Sequence, residues 1–109
     1  MKIIIAGHGF VGKAIHNALK AKHEIVIVDP QYTTNEIIYH HDADGIIICV
    51  PTPTTENNIC DASEVANVLD NVPIFMPVMI KSTISPAVVE AFDQIYEKHS
   101  IIYSPEFLR

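Results

Sequence analysis

Five short apolar runs punctuate the chain, at residues 2–6, 24–29, 45–50, 78–81 and 101–103, and polar residues hardly interrupt them. Runs this short and this rich in isoleucine and valine suit parallel strands covered on both faces, whereas a half-solvated strand would alternate apolar with polar. Between them the period lengthens to that of a helix. Phe10, Val11, Ala14, Ile15, Ala18 and Leu19 fall along one stripe of a helix predicted from about residue 10 to 22, with Lys13, Asn17 and Lys20 elsewhere on its surface. A second helix is predicted after Asp61, with Glu64 in capping-box spacing and Val65, Val68 and Leu69 as its apolar stripe. A third opens with Ser85 as N-cap and Pro86 as first helical residue, turning Val88, Val89, Phe92 and Ile95 inward. The fifteen residues 30–44 leave room for a short crossover with one helical turn near residues 36–40.

This alternation predicts an α/β fold, a Rossmann-like doubly wound parallel sheet of about five strands in the order 3-2-1-4-5 within a single domain. Its ligand crevice is then expected where strands one and four part. Four segments converge there: the turn at 7–12, the loop at 51–54, the loop at 82–85 and the chain end.

The first of these carries the most specific chemistry. Strand one runs into Gly7-His8-Gly9-Phe10-Val11-Gly12, a G-x-G-x-x-G turn that opens directly into a helix. Gly7 permits the tight turn, Gly9 lets a pyrophosphate approach the backbone, and Gly12 lets the helix pack close on its strand. The helix amides around Phe10 and Val11 then face the anion together with the positive end of the dipole. Asp29 ends strand two, 22 positions beyond Gly7, the spacing of a carboxylate that accepts hydrogen bonds from the adenosine ribose. A carboxylate there repels a 2′-phosphate, and Pro30, Gln31 and Tyr32 bring no arginine to hold one, so NAD is favoured over NADP.

Composition removes several alternatives. A formal charge of −6 with scattered basic residues argues against nucleic acid and anionic membranes as partners. No apolar run approaches the roughly 20 residues of a membrane span and no secretory signal is visible, which points to the cytosol. Cys49 and Cys60 fit no C-x-x-C pattern; Cys49 reads as a small buried apolar residue and Cys60 as a loop thiol. His40 and His41 beside Asp42 and Asp44 read as a solvated loop, and no metal site is assigned. His8 could approach a pyrophosphate as a cation, a ring turned to solvent being the simpler arrangement.

Taken together, the glycine turn, Val50-Pro51-Thr52-Pro53-Thr54, Lys81-Ser82-Thr83-Ile84-Ser85-Pro86 and Ser104-Pro105-Glu106-Phe107-Leu108-Arg109 resemble the UDP-glucose/GDP-mannose dehydrogenase family. The resemblance corresponds to the family's N-terminal NAD-binding domain, over residues 1–109. It implies that Val50, Pro51, Thr52 and Ser82 line the dinucleotide, that Thr83 sits beside the reacting centre in a supporting catalytic role, and that Glu106, Phe107 and Leu108 border a sugar nucleotide. Enzymes of this family oxidise a nucleotide-sugar alcohol to a carboxylate in two NAD-linked steps through a cysteine-bound intermediate. The nucleophilic cysteine, its partner lysine, the central helix and the substrate domain belong to later family sequence, and neither Cys49 nor Cys60 inherits the nucleophile's role. Two departures stand out: the segment after Asp29 is shorter than usual, and His8 occupies a position more often small or hydroxylic.

The expected function is therefore the NAD-binding domain of a nucleotide-sugar 6-dehydrogenase, as a fragment, a split form or a degenerate copy inactive alone. The alternative is a stand-alone module that senses NAD or ADP-ribose and acts with a partner protein. A folded remnant with a partly empty pocket is a third reading. Strand five, left as an edge, invites a homo-oligomer or a hetero-complex.

Overall fold

The computed structural model describes residues 1–57 and 60–105. Its centre is β1 (Lys2–Ala6), which pairs in parallel with β2 (Glu24–Val28) on one side and β3 (Gly45–Ile48) on the other. From β3 the sheet continues through β4 (Val78–Ile80) to β5 (Ile101–Tyr103), all parallel, in the order β2-β1-β3-β4-β5. The α/β class and the five parallel strands agree with the apolar runs. The strand order 3-2-1-4-5 does not, since β3 lies beside β1 and not outside β2.

Chain length accounts for the difference. An outer strand with its own crossover needs roughly 30 residues, the size of a βαβ unit. Residues 29–44 provide one connection, containing a single 3₁₀ turn at Ile37–His40. The next strand has therefore already crossed to the far side of β1. The result is the six-strand dinucleotide order with its third strand left out, and the switch of direction falls between β1 and β3.

Right-handed crossovers place α1 (Phe10–Leu19) on one face of the sheet, with the 3₁₀ turn, α2 (Ser63–Asp70) and α3 (Pro86–Ile95) on the other. The larger core forms on that second face, where Ile4, Ile46, Ile48, Val78 and Ile80 meet Ile37, Val65, Leu69 and Phe92. On the α1 face the row Ile5, Ile47, Met79, Ile102 grows more exposed away from β1, from 0% at Ile5 to 59% at Ile102. Among the described helices α1 alone covers this face, and it rests against β1.

The helices follow their sequence signals unevenly. Ser85 caps α3 as predicted, its Oγ accepting from the Val88 N–H at 3.3 Å with Pro86 at the first turn. Asp61 precedes α2 and accepts the Ser63 N–H, but the N-cap is Ala62, without a side-chain cap bond. In α1 only Gly12 is buried; Phe10 is 90% exposed and Ala14 and Ala18 are also exposed, so the predicted stripe is only partly inward. Ile95, the last residue of α3, is 68% exposed as well.

Tyr96, just past α3, ties the two helices of the larger core together, its hydroxyl donating to Asp70 Oδ1 at 2.7 Å. Burial and the adjacent Asp70 carboxylate push this phenol up to about 12. Tyr103 is raised to about 12 by burial and Asp93.

Two outcomes follow from the packing. Leu69→Ala should lower unfolding stability by about 2–5 kcal/mol, while Ile95→Ala should stay within about 0.5 kcal/mol, both read from urea melts. A raised tyrosine contributes stability that is complete below its unfolded value near 10 and lost as pH rises through the folded value. Stability should therefore decline between about pH 10 and 12, and the Tyr96→Phe, Tyr103→Phe double variant should flatten that decline.

Candidate functional site

The sheet splits just past Ala6. Cys49 N–H donates to the Ala6 carbonyl at 2.7 Å, the last bond between β1 and β3. Gly7 then donates to Val28 of β2 at 3.0 Å, while the Ile48 carbonyl receives Lys81 N–H from β4 at 2.8 Å. The two halves of the sheet thus turn their hydrogen bonds away from each other. The cleft that opens between them has a volume of about 1060 Å³.

The three glycines divide the work of its floor. Gly7 has φ +98°, and a Cβ there would lie 2.7 Å from the backbone of Cys49. At Gly12 a Cβ would overlap the Gly7 carbonyl oxygen, so its absence lets α1 sit directly on the turn. Gly9 has nothing within 4 Å of its Cβ position and lines the cleft with bare backbone. As N-cap of α1 it brings no side-chain acceptor, and no acidic residue occupies the first turn. The opening amides of α1 are therefore left to an anion arriving from the cleft.

Asp29 stands at the tip of β2, on the same wall. Its carboxylate accepts the His8 N–H at 2.8 Å through Oδ2 and the Gln31 N–H at 3.0 Å through Oδ1. Two backbone donors fix its orientation, and it still lines the cleft. Beyond it, Thr33 Oγ1 at 2.8 Å and Asn35 Nδ2 at 3.0 Å both donate to the Ile27 carbonyl, sealing part of the β2 edge.

The opposite wall comes from the loops after β3 and β4. Val50, Pro51 and Thr83 line the cleft. Ser82 is 8% exposed and donates to the Val50 carbonyl at 2.7 Å, while Thr52 Oγ1 donates to the Thr83 carbonyl at 2.6 Å. Ser82 and Thr52 thus brace one loop against the other. Phe10 and Val11 are at the cleft's edge, and Gly12 lies beneath the turn. Glu106, Phe107 and Leu108 fall outside the described residues.

The surroundings of Cys49 do not activate its thiol. Burial pushes Cys49 up to about 11, with Lys81 only partly offsetting it. Cys60 points its Sγ at the Thr83 carbonyl, 3.4 Å away. The residues at 40–44 serve as struts: Lys2 Nζ meets Asp42 at 2.8 Å, Asp44 Oδ2 accepts the Lys2 N–H at 2.8 Å, and His41 Nε2 meets the Asn71 carbonyl at 3.1 Å. Among the described residues no group of three or more His, Cys, Asp or Glu side chains could hold a metal. No described helix is long and apolar enough to cross a membrane.

Two parts of the cleft were not singled out by the sequence. One end is walled by Ile37 and Ile38 from the 3₁₀ turn facing Asn67, Val68 and Asn71 of α2. The i, i+4 pair Asn67 and Asn71 on the polar side of α2 was the available signal. The second is a cluster on the Asp29 side, around the half-buried His8. Its ring lies 5.2 Å from Tyr32 and 5.4 Å from His16, and Lys13 Nζ sits 5.0 Å above the Tyr32 ring.

Comparison with known proteins accords with this geometry. Residues 31–109 match the UDP-glucose/GDP-mannose dehydrogenase family, NAD binding domain. A UDP-glucose 6-dehydrogenase of Campylobacter jejuni is 27% identical over 146 residues, taking in 100% of this chain and 37% of the relative. The crystal structure of a ternary complex of GDP-mannose dehydrogenase from Pseudomonas aeruginosa superimposes with a TM-score of 0.77 at 22% identity, covering 100% of this chain and 37% of that one. The chain thus spans little more than a third of the length of these relatives. With 109 residues set against a stretch of 146, the Campylobacter protein carries additional residues inside the matched span. A cleft at the strand switch, floored by bare amides and flanked by a fixed carboxylate, occurs here in a chain that belongs to the UDP-glucose/GDP-mannose dehydrogenase family through its NAD-binding domain.

Proposed function

We propose that this chain is the dinucleotide half of a nucleotide-sugar 6-dehydrogenase of the UDP-glucose or GDP-mannose type, binding NAD and carrying out no oxidation by itself. The observation that carries the reading is the pairing of uncapped α1 amides over an open Gly9 with the backbone-oriented carboxylate of Asp29. The first suits a pyrophosphate and the second a ribose diol, and both face one cleft. When bound there, NAD supplies the acceptor for a hydride. The chain's part is to hold it: Gly7, Gly9, Phe10, Val11 and Gly12 form the pyrophosphate turn, Asp29 takes the ribose, and Val50, Pro51, Thr52, Ser82 and Thr83 make the wall toward the nicotinamide.

The names of the relatives support a sugar nucleotide as substrate, with Thr83 next to the reacting carbon and Glu106, Phe107 and Leu108 bordering the sugar. Oxidation of an alcohol through to an acid on this plan needs an activated thiol. Cys49, held up to about 11 by burial, does not provide one. The thiol and the remaining substrate floor are proposed to come from another stretch of polypeptide, in the same chain or a partner. A site within the cytosol suits a cofactor-dependent reaction of this kind.

Calorimetry with NAD, ADP-ribose and UDP-glucose tests the binding half. NAD and ADP-ribose should bind with similar strength and UDP-glucose should not; no heat with NAD at millimolar concentration would sink the proposal. Asp29→Ala should weaken NAD by about 1–3 kcal/mol, the cost of leaving a hydrogen-bonding ligand group unpaired. Incubation of the purified 109-residue chain with NAD and either UDP-glucose or GDP-mannose should yield no NADH absorbance, and robust turnover would contradict the assigned division of labour.

A further inference from the structure

The cluster around His8 has no part in holding the fold's core, and it borders the place assigned to the phosphates. His8 lies between Gly7 and Gly9, so its ring stands at the edge of the turn that offers bare amides to an anion. The ring does not swing freely. Tyr32 packs against it at 5.2 Å and His16 meets it edge-on at 5.4 Å, while the backbone N–H of His8 donates to Asp29 Oδ2 at 2.8 Å. Lys13, whose ammonium sits over the same Tyr32 ring, brings a positive charge close to this cluster.

We propose that His8 is a dinucleotide-binding residue that takes up a proton as the phosphates arrive, so that NAD binds more tightly as pH falls toward the imidazole range. The inference rests on the dinucleotide reading above and goes beyond it in assigning a charge-changing residue to the site. In the free protein His8 is held below its ordinary value, by burial first and then by the neighbouring charges of Lys13 and His16, with Asp29 acting the other way. These are the charged groups that face it from α1 and from the tip of β2. Tyr32 is the other ring packed against His8, and Glu36 and Glu64 also line the cleft.

A pyrophosphate settled on the α1 amides brings two negative charges beside this ring. Opposite charge at close range favours the imidazolium and raises its pKa. Because burial already acts on the ring before the ligand comes, the main change on binding is the added anion. The proton balance is simple: one proton moves from solvent to the vacant ring nitrogen, and no covalent bond changes. By linkage, each unit by which binding raises the His8 pKa makes NAD about tenfold tighter at the acid end of the titration than at the alkaline end.

Two measurements on the full 109-residue chain test this. Calorimetric titration with NAD at about pH 6, close to the ordinary imidazole value near 6.5, is repeated in buffers of different ionisation heat. The expected result is net proton uptake by the wild type and none by His8→Gln, which still binds NAD with an affinity that no longer varies with pH. NMR titration of the wild-type imidazoles, with and without saturating NAD, needs no variant to fold; the His8 resonance should titrate at least about one unit higher in the complex. NAD binding without buffer dependence, or a proton taken up at His16 with His8 unmoved, overturns the assignment to His8 and leaves the dinucleotide reading standing. No NAD binding in any buffer removes both.

Discussion

The approach of one backbone to another at Gly7 is the constraint on which the rest of this molecule depends. The chain leaves β1 in a left-handed conformation, pressed so closely on Cys49 and Val50 that no side chain fits between them. From that point β1 bonds only toward β2, and β3 bonds only toward β4. The cleft is the space released when the two halves part. The same geometry aims α1 across it, because Gly12 allows the helix to rest on the Gly7 carbonyl. A fold that needs its first strand buried on both faces thereby produces, at that strand's end, a patch of amides with no partner of their own.

Around this opening, side chains act mostly as braces. Ser82 and Thr52 spend their hydroxyls on carbonyls of the facing loop, and Asp29 spends one oxygen on the turn and the other on its own loop. Fixed donors and acceptors lose little freedom when a ligand arrives, so the cleft is prepared before it is filled. Its polar groups also sit at strand ends, where the apolar layers of the sheet supply rigidity and the loops supply chemistry.

The shortened connection between β2 and β3 shapes one side of the site. With no outer strand, β2 forms an edge, and Thr33 and Asn35 cover the Ile27 carbonyl that such a strand would have met. Tyr32, carried on the same connection, reaches back to His8 under the Lys13 ammonium. The 3₁₀ turn then brings Ile37 and Ile38 opposite α2 to close the far end of the cleft. One short segment therefore replaces the covering of an edge, the clasp on the glycine turn and an apolar wall.

What the sequence determined by itself was whatever depends on neighbours along the chain. The isoleucine-rich runs named all five strands, Ser85-Pro86 set the start of α3, and the spacing of Gly7, Gly9 and Gly12 marked the tight strand-to-helix turn, because backbone freedom, capping and strand burial are local requirements. Pairing between strands is not local. Each apolar run would bury equally well beside several others, and only the length of residues 29–44 against the width of the sheet decided that β3 lies next to β1. The exposure of Phe10 and Ile95 was equally out of reach, since a helical stripe shows which residues share a side and not how far the sheet extends beneath them. The meeting of His8, Lys13, His16 and Tyr32 joins one helix to a distant loop, and such contacts exist only once the chain has closed upon itself.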